Sequence, residues 1–266
     1  MPQIHPTAIV DPAAELAADV VVGPYCMIDT GVRIGPGTRL GPFCHLYPGA
    51  ELGEGVVLDD GVVVGNAPQD LKYSGESTRV VIGAGTRLRE YVTVNRASTP
   101  GGVTRVGSNC LIMAYTHVAH DCEIGDSAIV ANAVQMGGHV RIGANAIVSG
   151  MTGIHQFVSI GAGAFIGGGL RVDQDVPPFC RALGDPLRWG GLNLVGLRRK
   201  DSETEAMRFL ESSYRRVYRV GETVAMEWVK EQADFTEIKS AVEKFFSRHQ
   251  RTLLRRGADE LRKTAN

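Results

Sequence analysis

An aliphatic residue recurs at every sixth position over the first two-thirds of this 266-residue chain. Stepping by six from Ile4 to Val172 samples 29 positions, of which 26 are aliphatic or Met, the exceptions being Asp70, Glu76 and Pro100. A helix repeats every 3.6 residues and a half-buried strand every two, so neither produces this period. A short strand followed by a corner does, and three such units close a triangular coil of about 18 residues.

The residues around the aliphatic positions indicate a narrow interior. The fourth residue after each aliphatic one is usually Ala, Thr or Cys, and Gly often follows the aliphatic residue directly. The chain has 33 glycines but only 6% aromatic residues, a composition that suits many tight turns. We therefore predict a mainly β protein, a parallel β-helix whose coils stack about 4.8 Å apart. Crossover statistics alone favour a right-handed winding.

Breaks in the period divide the chain. The three exceptions fall in polar, Gly/Pro-containing stretches that predict loops near 66–79 and 98–105, and loops on a rigid scaffold often carry function. The period stops after Pro178, and helical spacing of apolar residues follows. We predict a β-helix over 1–190 with a net charge of -5, and an α-helical segment over 191–266 with a net charge of +4.

Composition excludes several classes of protein. Hydrophobic residues make up 44% of the chain, enough to bury a core, and a net charge of -1 argues against nucleic acid as a partner. The sequence has no apolar run near the ~20 residues that span a bilayer, so we expect no transmembrane segment. It begins with no secretory signal, and its five cysteines include no C-x-x-C pair. We expect reduced thiols and a cytoplasmic location.

An 18-residue coil brings distant residues onto one face. It stacks Gly138 on His120 and His139 on Asp121, with the next coil again above them. None of the histidines concerned occupies an inward aliphatic position, so all should point outward. Four of the seven histidines in the chain converge there within about two coil spacings, or ~10 Å: His117, His120, His139 and His155.

Two functional interpretations suit such a histidine face. One is a metal site, because imidazole is a common metal ligand. Hexapeptide-repeat carbonic anhydrases bind zinc between subunits with a histidine pair four residues apart and a third histidine upstream. This sequence has H-x-x-H at 117–120 instead, so we expect no metal and no cofactor. The other interpretation is general base catalysis by one imidazole while the remaining histidines bind a polar substrate.

Five motifs in order resemble one family of hexapeptide-repeat acyltransferases, the UDP-N-acetylglucosamine O-acyltransferases of lipid A biosynthesis. The motifs are PQDLKY (68–73), HVAHDC (117–122), GMTGIHQF (150–157), QDVPP (174–178) and NLVGLRRK (193–200). The resemblance implies a left-handed β-helix and a homotrimer with active sites in the grooves between subunits. It also implies transfer of an (R)-3-hydroxyacyl group from acyl carrier protein to the 3-hydroxyl of UDP-N-acetylglucosamine. The basic helical segment suits docking of an acidic carrier protein.

By this resemblance His120 is the general base, Asp121 orients its imidazole, and the Gly138 N–H faces the developing oxyanion. The sugar oxygen then attacks the thioester directly, and no acyl-enzyme forms. Neighbouring residues on a strand point to opposite sides, so His120 and Asp121 can pair only if the corner turns the chain between them.

The resemblance also assigns substrate contacts. Gly168 matches the position that sets acyl-chain length. Departures at Asn95, Val195 and Lys200 leave the nucleobase contacts and the acyl preference open. Transfer to a 3-amino analogue, another hexapeptide-repeat acyl- or acetyltransferase, and a catalytically silent scaffold are the alternatives. The residues that match contacts to the sugar nucleotide or the acyl donor are Asp70, Lys72, His117, His139, His155, Gln156, Asn193 and Arg199.

Overall fold

The chain winds into a three-sided parallel β-helix followed by helices. A computed structural model describes residues 1–198, 204–232 and 236–254. Within them lie 28 strands, most of two residues, and with few exceptions each strand pairs in parallel with the strand three along the chain. The first face consists of β1 (Gln3–Ile4), β4 (Val21–Val22), β7 (Arg39–Leu40), β10 (Val57–Leu58), β13 (Arg87–Leu88), β16 (Leu111–Ile112), β19 (Ile129–Val130), β22 (Ile147–Val148), β25 (Phe165–Ile166), β27 (Cys180–Leu183) and β28 (Arg188–Leu192).

The other two faces continue the same winding. The second face consists of β2 (Ile9–Val10), β5 (Met27–Ile28), β8 (His45–Leu46), β11 (Val63–Asn66), β14 (Thr93–Asn95), β17 (His117–Val118), β20 (Gln135–Met136), β23 (Gly153–Ile154) and β26 (Arg171–Val172). The third face consists of β3 (Glu15–Leu16), β6 (Arg33–Ile34), β9 (Ala50–Leu52), β12 (Arg79–Ile82), β15 (Val103–Val106), β18 (Glu123–Ile124), β21 (Arg141–Ile142) and β24 (Ser159–Ile160).

The strand register confirms a coil of 18 residues and shows where it is interrupted. Val21 pairs with Arg39, a difference of 18. Val63 pairs with Thr93, a difference of 30, and Thr93 pairs with His117, a difference of 24. Loop 1, between β11 and β12, therefore inserts 12 residues, and loop 2, between β14 and β15, inserts six. The three exceptions to the period lie in these loops.

The interior is filled by the aliphatic column and by small side chains that satisfy backbone carbonyls. Leu46, Leu88 and Ile112 are fully buried. Buried hydroxyls of the small-residue column donate to the next coil, as Thr116 Oγ1 does to the carbonyl of Ala131 at 3.0 Å. All five cysteines are buried free thiols. A column of Thr and Cys thus supplies hydrogen bonds where Ala would leave carbonyls without a donor.

From Tyr25 onward, most corners are turned by a residue with a positive φ, usually near 60°, a conformation uncommon outside Gly and Asn. The corner residues stack into three columns. The first corner, between the first and second faces, includes Tyr115, Ala133, Met151 and Gly169. The second corner, between the second and third faces, includes Asp121, His139 and Phe157. The third corner, between the third and first faces, includes Ser127, Asn145, Gly163 and Phe179.

The helices α1 (Leu194–Arg198), α2 (Thr204–Val220), α3 (Glu222–Glu231) and α4 (Thr236–Phe246) follow the last strand. Leu210 and Tyr214 of α2 are fully buried. The Tyr214 ring lies 5.2 Å from that of Trp189, and its hydroxyl donates to the carbonyl of Pro178 at 2.6 Å. The apolar stripe of α2 therefore packs on the end of the β-helix. Among the described residues no helix has the length and apolar character to cross a membrane.

A short segment after α4 returns to the β-helix and is held there by Asp175. This carboxylate is fully buried and accepts the backbone N–H groups of Gln250 and Arg251 at 2.9 and 2.7 Å. His249 lies between two acids, with Nδ1 3.5 Å from Asp175 Oδ2 and Nε2 2.8 Å from Glu222 Oε2. The bond to Asp175, opposed in part by burial and helped by Glu222, raises the pKa of His249 to about 9.

This acid–imidazole contact predicts a stability that falls at alkaline pH. Because the pKa of His249 is higher folded than unfolded, its contribution is fully present below about pH 6.5 and is lost as pH rises through about 9. We expect the free energy of unfolding of the native chain to fall between pH 6.5 and 9.5 by up to about 3 kcal/mol. His249→Gln should start less stable and lose much less over that range. Equal slopes for both proteins in urea titrations would contradict the assignment.

Candidate active site

The second corner carries the histidine face. Asp121, His139 and Phe157 have φ angles of 60°, 62° and 66° and stack one coil above another. The N–H of His139 donates to the carbonyl of His120, and that of Phe157 to the carbonyl of Gly138, both at 3.0 Å. The left-handed turn changes the chain direction between each corner residue and the one before it. Adjacent side chains therefore come to the same outer surface.

His120 and Asp121 form a close pair at this corner. His120 Nδ1 lies 2.8 Å from Asp121 Oδ2, and both side chains are 13% exposed. Because a carboxylate only accepts, the bonded Nδ1 carries the proton and Nε2 keeps its lone pair. Neighbouring residues on a straight strand would point to opposite sides, and the turn at Asp121 allows these two to pair. The pair is thus set up to accept a proton at Nε2 and to stabilise the charge that results.

Gly138 lies directly against the His120 ring, one coil above. A Cβ on Gly138 would be 2.5 Å from Cε1 and 2.6 Å from Nε2 of that ring, so the ring occupies space that only glycine leaves. The Gly138 N–H donates to no carbonyl or side chain in the described parts of the chain. A free amide donor next to the basic nitrogen is suited to bind an oxyanion.

Two further histidines surround the pair in uncharged form. His139 lies edge-on to His120, with ring centroids 5.3 Å apart, and stacks on Phe157 at 4.6 Å. Nδ1 of His117 lies 2.7 Å from the hydroxyl of Thr93 on the coil below. Burial lowers the pKa of both His117 and His139 below the ordinary imidazole value, so both are neutral at pH 7. Neutral rings can hydrogen-bond a polar substrate without repelling an imidazolium at His120.

The same corner offers ligand atoms to a metal. In the described residues, one atom each from His120, Asp121 and His139 lies within 4.8 Å of the others. However, Asp121 Oδ2 already accepts hydrogen bonds from Ser98 N, Ser98 Oγ and His120, at 3.1, 2.7 and 2.8 Å. That arrangement of donors suits a charged carboxylate that orients an imidazole better than a carboxylate that ligates a cation.

His155 and Gln156 lie one coil higher and contact the C-terminal segment. Arg251 Nη2 is 2.8 Å from His155 Nδ1, and Arg251 Nε donates to the carbonyl of Gln156 at 2.8 Å. An open groove of about 680 Å³ runs beside them, lined in part by Phe157, Asp173 and Arg251. Arg251 was missed by sequence reasoning, since nothing in the sequence pattern relates a residue in the C-terminal segment to this corner.

Comparison with known proteins identifies the family of this chain. The model described as "Udp N-acetylglucosamine O-acyltransferase; Domain 2" matches residues 175–258, and "Bacterial transferase hexapeptide (six repeats)" matches 31–66 and 104–138. An acyl-[acyl-carrier-protein]–UDP-N-acetylglucosamine O-acyltransferase from Thermodesulfovibrio yellowstonii is 46% identical over 220 residues, covering 82% of this chain and 85% of the relative. The chain belongs to the UDP-N-acetylglucosamine O-acyltransferase family.

Two more members of the O-acyltransferase family match nearly end to end. The enzyme of that name from Thiobacillus denitrificans is 42% identical over 259 residues, covering 96% of this chain and all of the relative. The structure of UDP-N-acetylglucosamine acyltransferase from Francisella novicida superposes with a TM-score of 0.91 at 32% identity, covering 97% of this chain and 96% of that one. The fold is accordingly a left-handed parallel β-helix with a C-terminal helical segment, as the resemblance implied.

One residue of loop 1 in this O-acyltransferase acts on the histidine face through its charge. The Asp70 carboxylate accepts the backbone N–H of Lys72 at 2.9 Å, which forms a local turn, and the Lys72 side chain is exposed. The charge of Asp70 acts on His139 and opposes the lowering of its pKa by burial. Asp70 is therefore linked to the site through its charge, whereas no contact in the described residues links the Lys72 side chain to His120 or His139.

Other predicted residues of the O-acyltransferase lie elsewhere on the prism. Asn193 is nearly buried and donates from Nδ2 to the carbonyl of Gly163 at 3.0 Å, which places it at the third corner. Gly168 precedes Gly169 at the first corner, where it is exposed and an added Cβ would be 3.3 Å from the carbonyl of Gly150. One chain therefore does not gather these two residues with His120. Arg199 and Lys200 lie outside the described residues.

Proposed function

We propose that this protein transfers an (R)-3-hydroxyacyl group from acyl carrier protein to the 3-hydroxyl of UDP-N-acetylglucosamine, the first step of lipid A biosynthesis. The single observation that carries the mechanism is the 2.8 Å contact of His120 Nδ1 with Asp121, which leaves Nε2 free beside Gly138. The names of the family relatives support the donor and the acceptor.

In the proposed reaction His120 Nε2 removes the proton of the sugar 3-hydroxyl. The sugar oxygen forms a bond to the thioester carbonyl carbon, and the negative charge on the carbonyl oxygen is stabilised by the Gly138 N–H. As the carbonyl re-forms, the carbon–sulfur bond breaks and the carrier thiolate takes the proton back from His120. The Asp121 carboxylate stabilises the imidazolium in between.

The test is product analysis with three acceptor and donor combinations. Purified protein is incubated with 3-hydroxyacyl carrier protein and UDP-N-acetylglucosamine, with the same donor and the 3-amino analogue, and with acetyl-CoA and UDP-N-acetylglucosamine. We expect mass spectrometry to find an ester on the first acceptor. Exclusive use of acetyl-CoA, or exclusive acylation of the amine, would replace the proposal with one of those alternatives, and no transfer in any arm would reject it.

We also propose that the working form is a homotrimer in which neighbouring subunits complete each site. Support comes from the positions of His120, Gly168 and Asn193 at three different corners, since a groove between packed prisms brings different corners together. Mixing subunits tests this directly. His120→Ala and Asn193→Ala chains, each much less active alone than the native protein, should recover activity when unfolded and refolded together, because some grooves then contain both native residues. A mixture as inactive as its parents would contradict shared sites.

A further inference from the structure

Loop 2 interrupts the backbone ladder of the second corner at Asp121. In the two coils above, the N–H of the left-handed residue at this corner donates to a carbonyl 19 residues earlier, from His139 to His120 and from Phe157 to Gly138. The corresponding carbonyl beneath Asp121 is displaced because loop 2 inserts its six residues there. The Asp121 N–H donates instead to the hydroxyl of Thr104 at 2.8 Å.

Loop 2 also supplies two donors to the side chain of Asp121. The backbone N–H of Ser98 lies 3.1 Å from Oδ2 and its hydroxyl 2.7 Å from the same oxygen. His120 Nδ1 is bonded to that oxygen as well. The Asp121 side chain is only 13% exposed. The donors of loop 2 therefore replace water around the carboxylate, and they fix the direction in which Oδ2 faces the His120 ring.

We propose that Ser98 is a positioning residue of the catalytic pair: its hydroxyl holds the Asp121 carboxylate in the orientation that accepts the proton on His120 Nδ1, so that Nε2 is the ring nitrogen left to accept a proton. This role rests on the proposed function of His120 as general base. This role of Ser98 gives loop 2 a specific function, which its polar composition alone does not indicate.

The charges around Asp121 agree with this assignment. Burial acts to raise the pKa of the Asp121 carboxyl, but the bonds from Ser98 and the contact with His120 outweigh it and hold the pKa below its usual range. The coil above presents His139, whose Nε2 is 3.8 Å from Oδ2, and the Cys122 thiol follows along the chain. From below come the hydroxyls of loop 2 and Thr104, which do not titrate.

The first test removes only the Ser98 hydroxyl. We expect Ser98→Ala to lower kcat about tenfold while KM for the sugar nucleotide stays within about twofold, because Asp121 then orients the imidazole less firmly. Ser98→Thr should restore most of the rate. Thr99→Ala, which removes an exposed hydroxyl from the same loop, is the matched control and should behave as the native protein.

A double-mutant cycle separates positioning from a general effect on the loop. In an Asp121→Asn background, Ser98→Ala should cause no further loss of kcat, because the carboxylate through which it acts is gone. A full tenfold loss in that background would overturn the proposal. If Ser98→Ala proves unstable, Ser98→Cys keeps the size of the side chain with a much weaker donor and should give the same kinetic result.

A titration of the Asp121 carboxyl tests the proposal without requiring the enzyme to turn over. The Asp121 carboxyl is followed by carbon-13 NMR against pH in the native, Ser98→Ala and Thr99→Ala proteins. We expect a higher Asp121 pKa in Ser98→Ala alone. An unchanged value there, or an equal change in Thr99→Ala, would overturn the role of Ser98. A native enzyme that is inactive on the proposed substrates would instead reject the proposed function and leave this titration to decide the contact.

Discussion

Replacing His120 by Ala is expected to lower kcat about 1,000-fold, because it removes the nitrogen beside Gly138 that we propose takes the sugar proton. Substrate binding should change little, since neighbouring polar groups remain, so KM should stay within about twofold. The measurement is steady-state acyl transfer from 3-hydroxyacyl carrier protein, with circular dichroism and thermal melting to confirm the fold.

The control for this experiment is another histidine of the same chain. His5 is exposed near the N-terminus, and in the described parts of the chain its ring is hydrogen-bonded only to the hydroxyl and the backbone N–H of Thr7. His5→Ala should retain full activity. If His120→Ala kept a rate comparable to that of His5→Ala, the base would have to be some other group, and the proposed chemistry would be wrong.

Gly138→Ala is expected to cost about 100-fold in kcat without unfolding the protein. The new Cβ would lie 2.5 Å from Cε1 and 2.6 Å from Nε2 of His120, closer than carbon atoms approach in proteins, so the ring must move by around an ångström. Misplacement of that size at a reacting group typically costs about 100-fold. The backbone N–H is retained, and the loss therefore reports the position of the imidazole rather than the oxyanion contact.

Gly153→Ala provides the matched glycine control on the neighbouring strand β23. An added Cβ there would meet no atom within 4 Å, and the glycine does not have a left-handed φ. We expect its activity and melting temperature to equal those of the native protein. If the Gly138→Ala enzyme were as active as this control, the His120 ring would not be as closely packed against Gly138 as the structure shows.

The fold and the centre of the site were accessible from sequence because one period governs both. The same six-residue step that places Leu88 and Ile112 in the core also stacks Gly138 on His120. Gly138 and His120 both follow the two inserted loops in the chain, so no insertion separates them. Counting in 18s therefore works from 117 onward. The period also predicts that Gly138 and Gly168 belong to different corners, because their numbers differ by 30, which is a multiple of six but not of 18.

The remaining parts of the site depend on insertions and on the returning chain. Ser98 reaches Asp121 because a six-residue loop leaves the coil at that level, and a loop has no period from which its contacts can be counted. Arg251 reaches His155 through the segment held by Asp175, across 96 residues of sequence. Such long-range contacts follow from packing of the helices on the β-helix, which periodicity does not encode.

A crystal structure with UDP-N-acetylglucosamine bound would show directly whether His120 acts as the base, through one distance. We expect the sugar 3-hydroxyl oxygen within hydrogen-bond reach of His120 Nε2, about 3 Å away, on the side that faces the Gly138 amide. A fully occupied sugar whose 3-hydroxyl points away from Nε2, or a ring flipped so that Nε2 rather than Nδ1 meets Asp121, would contradict it.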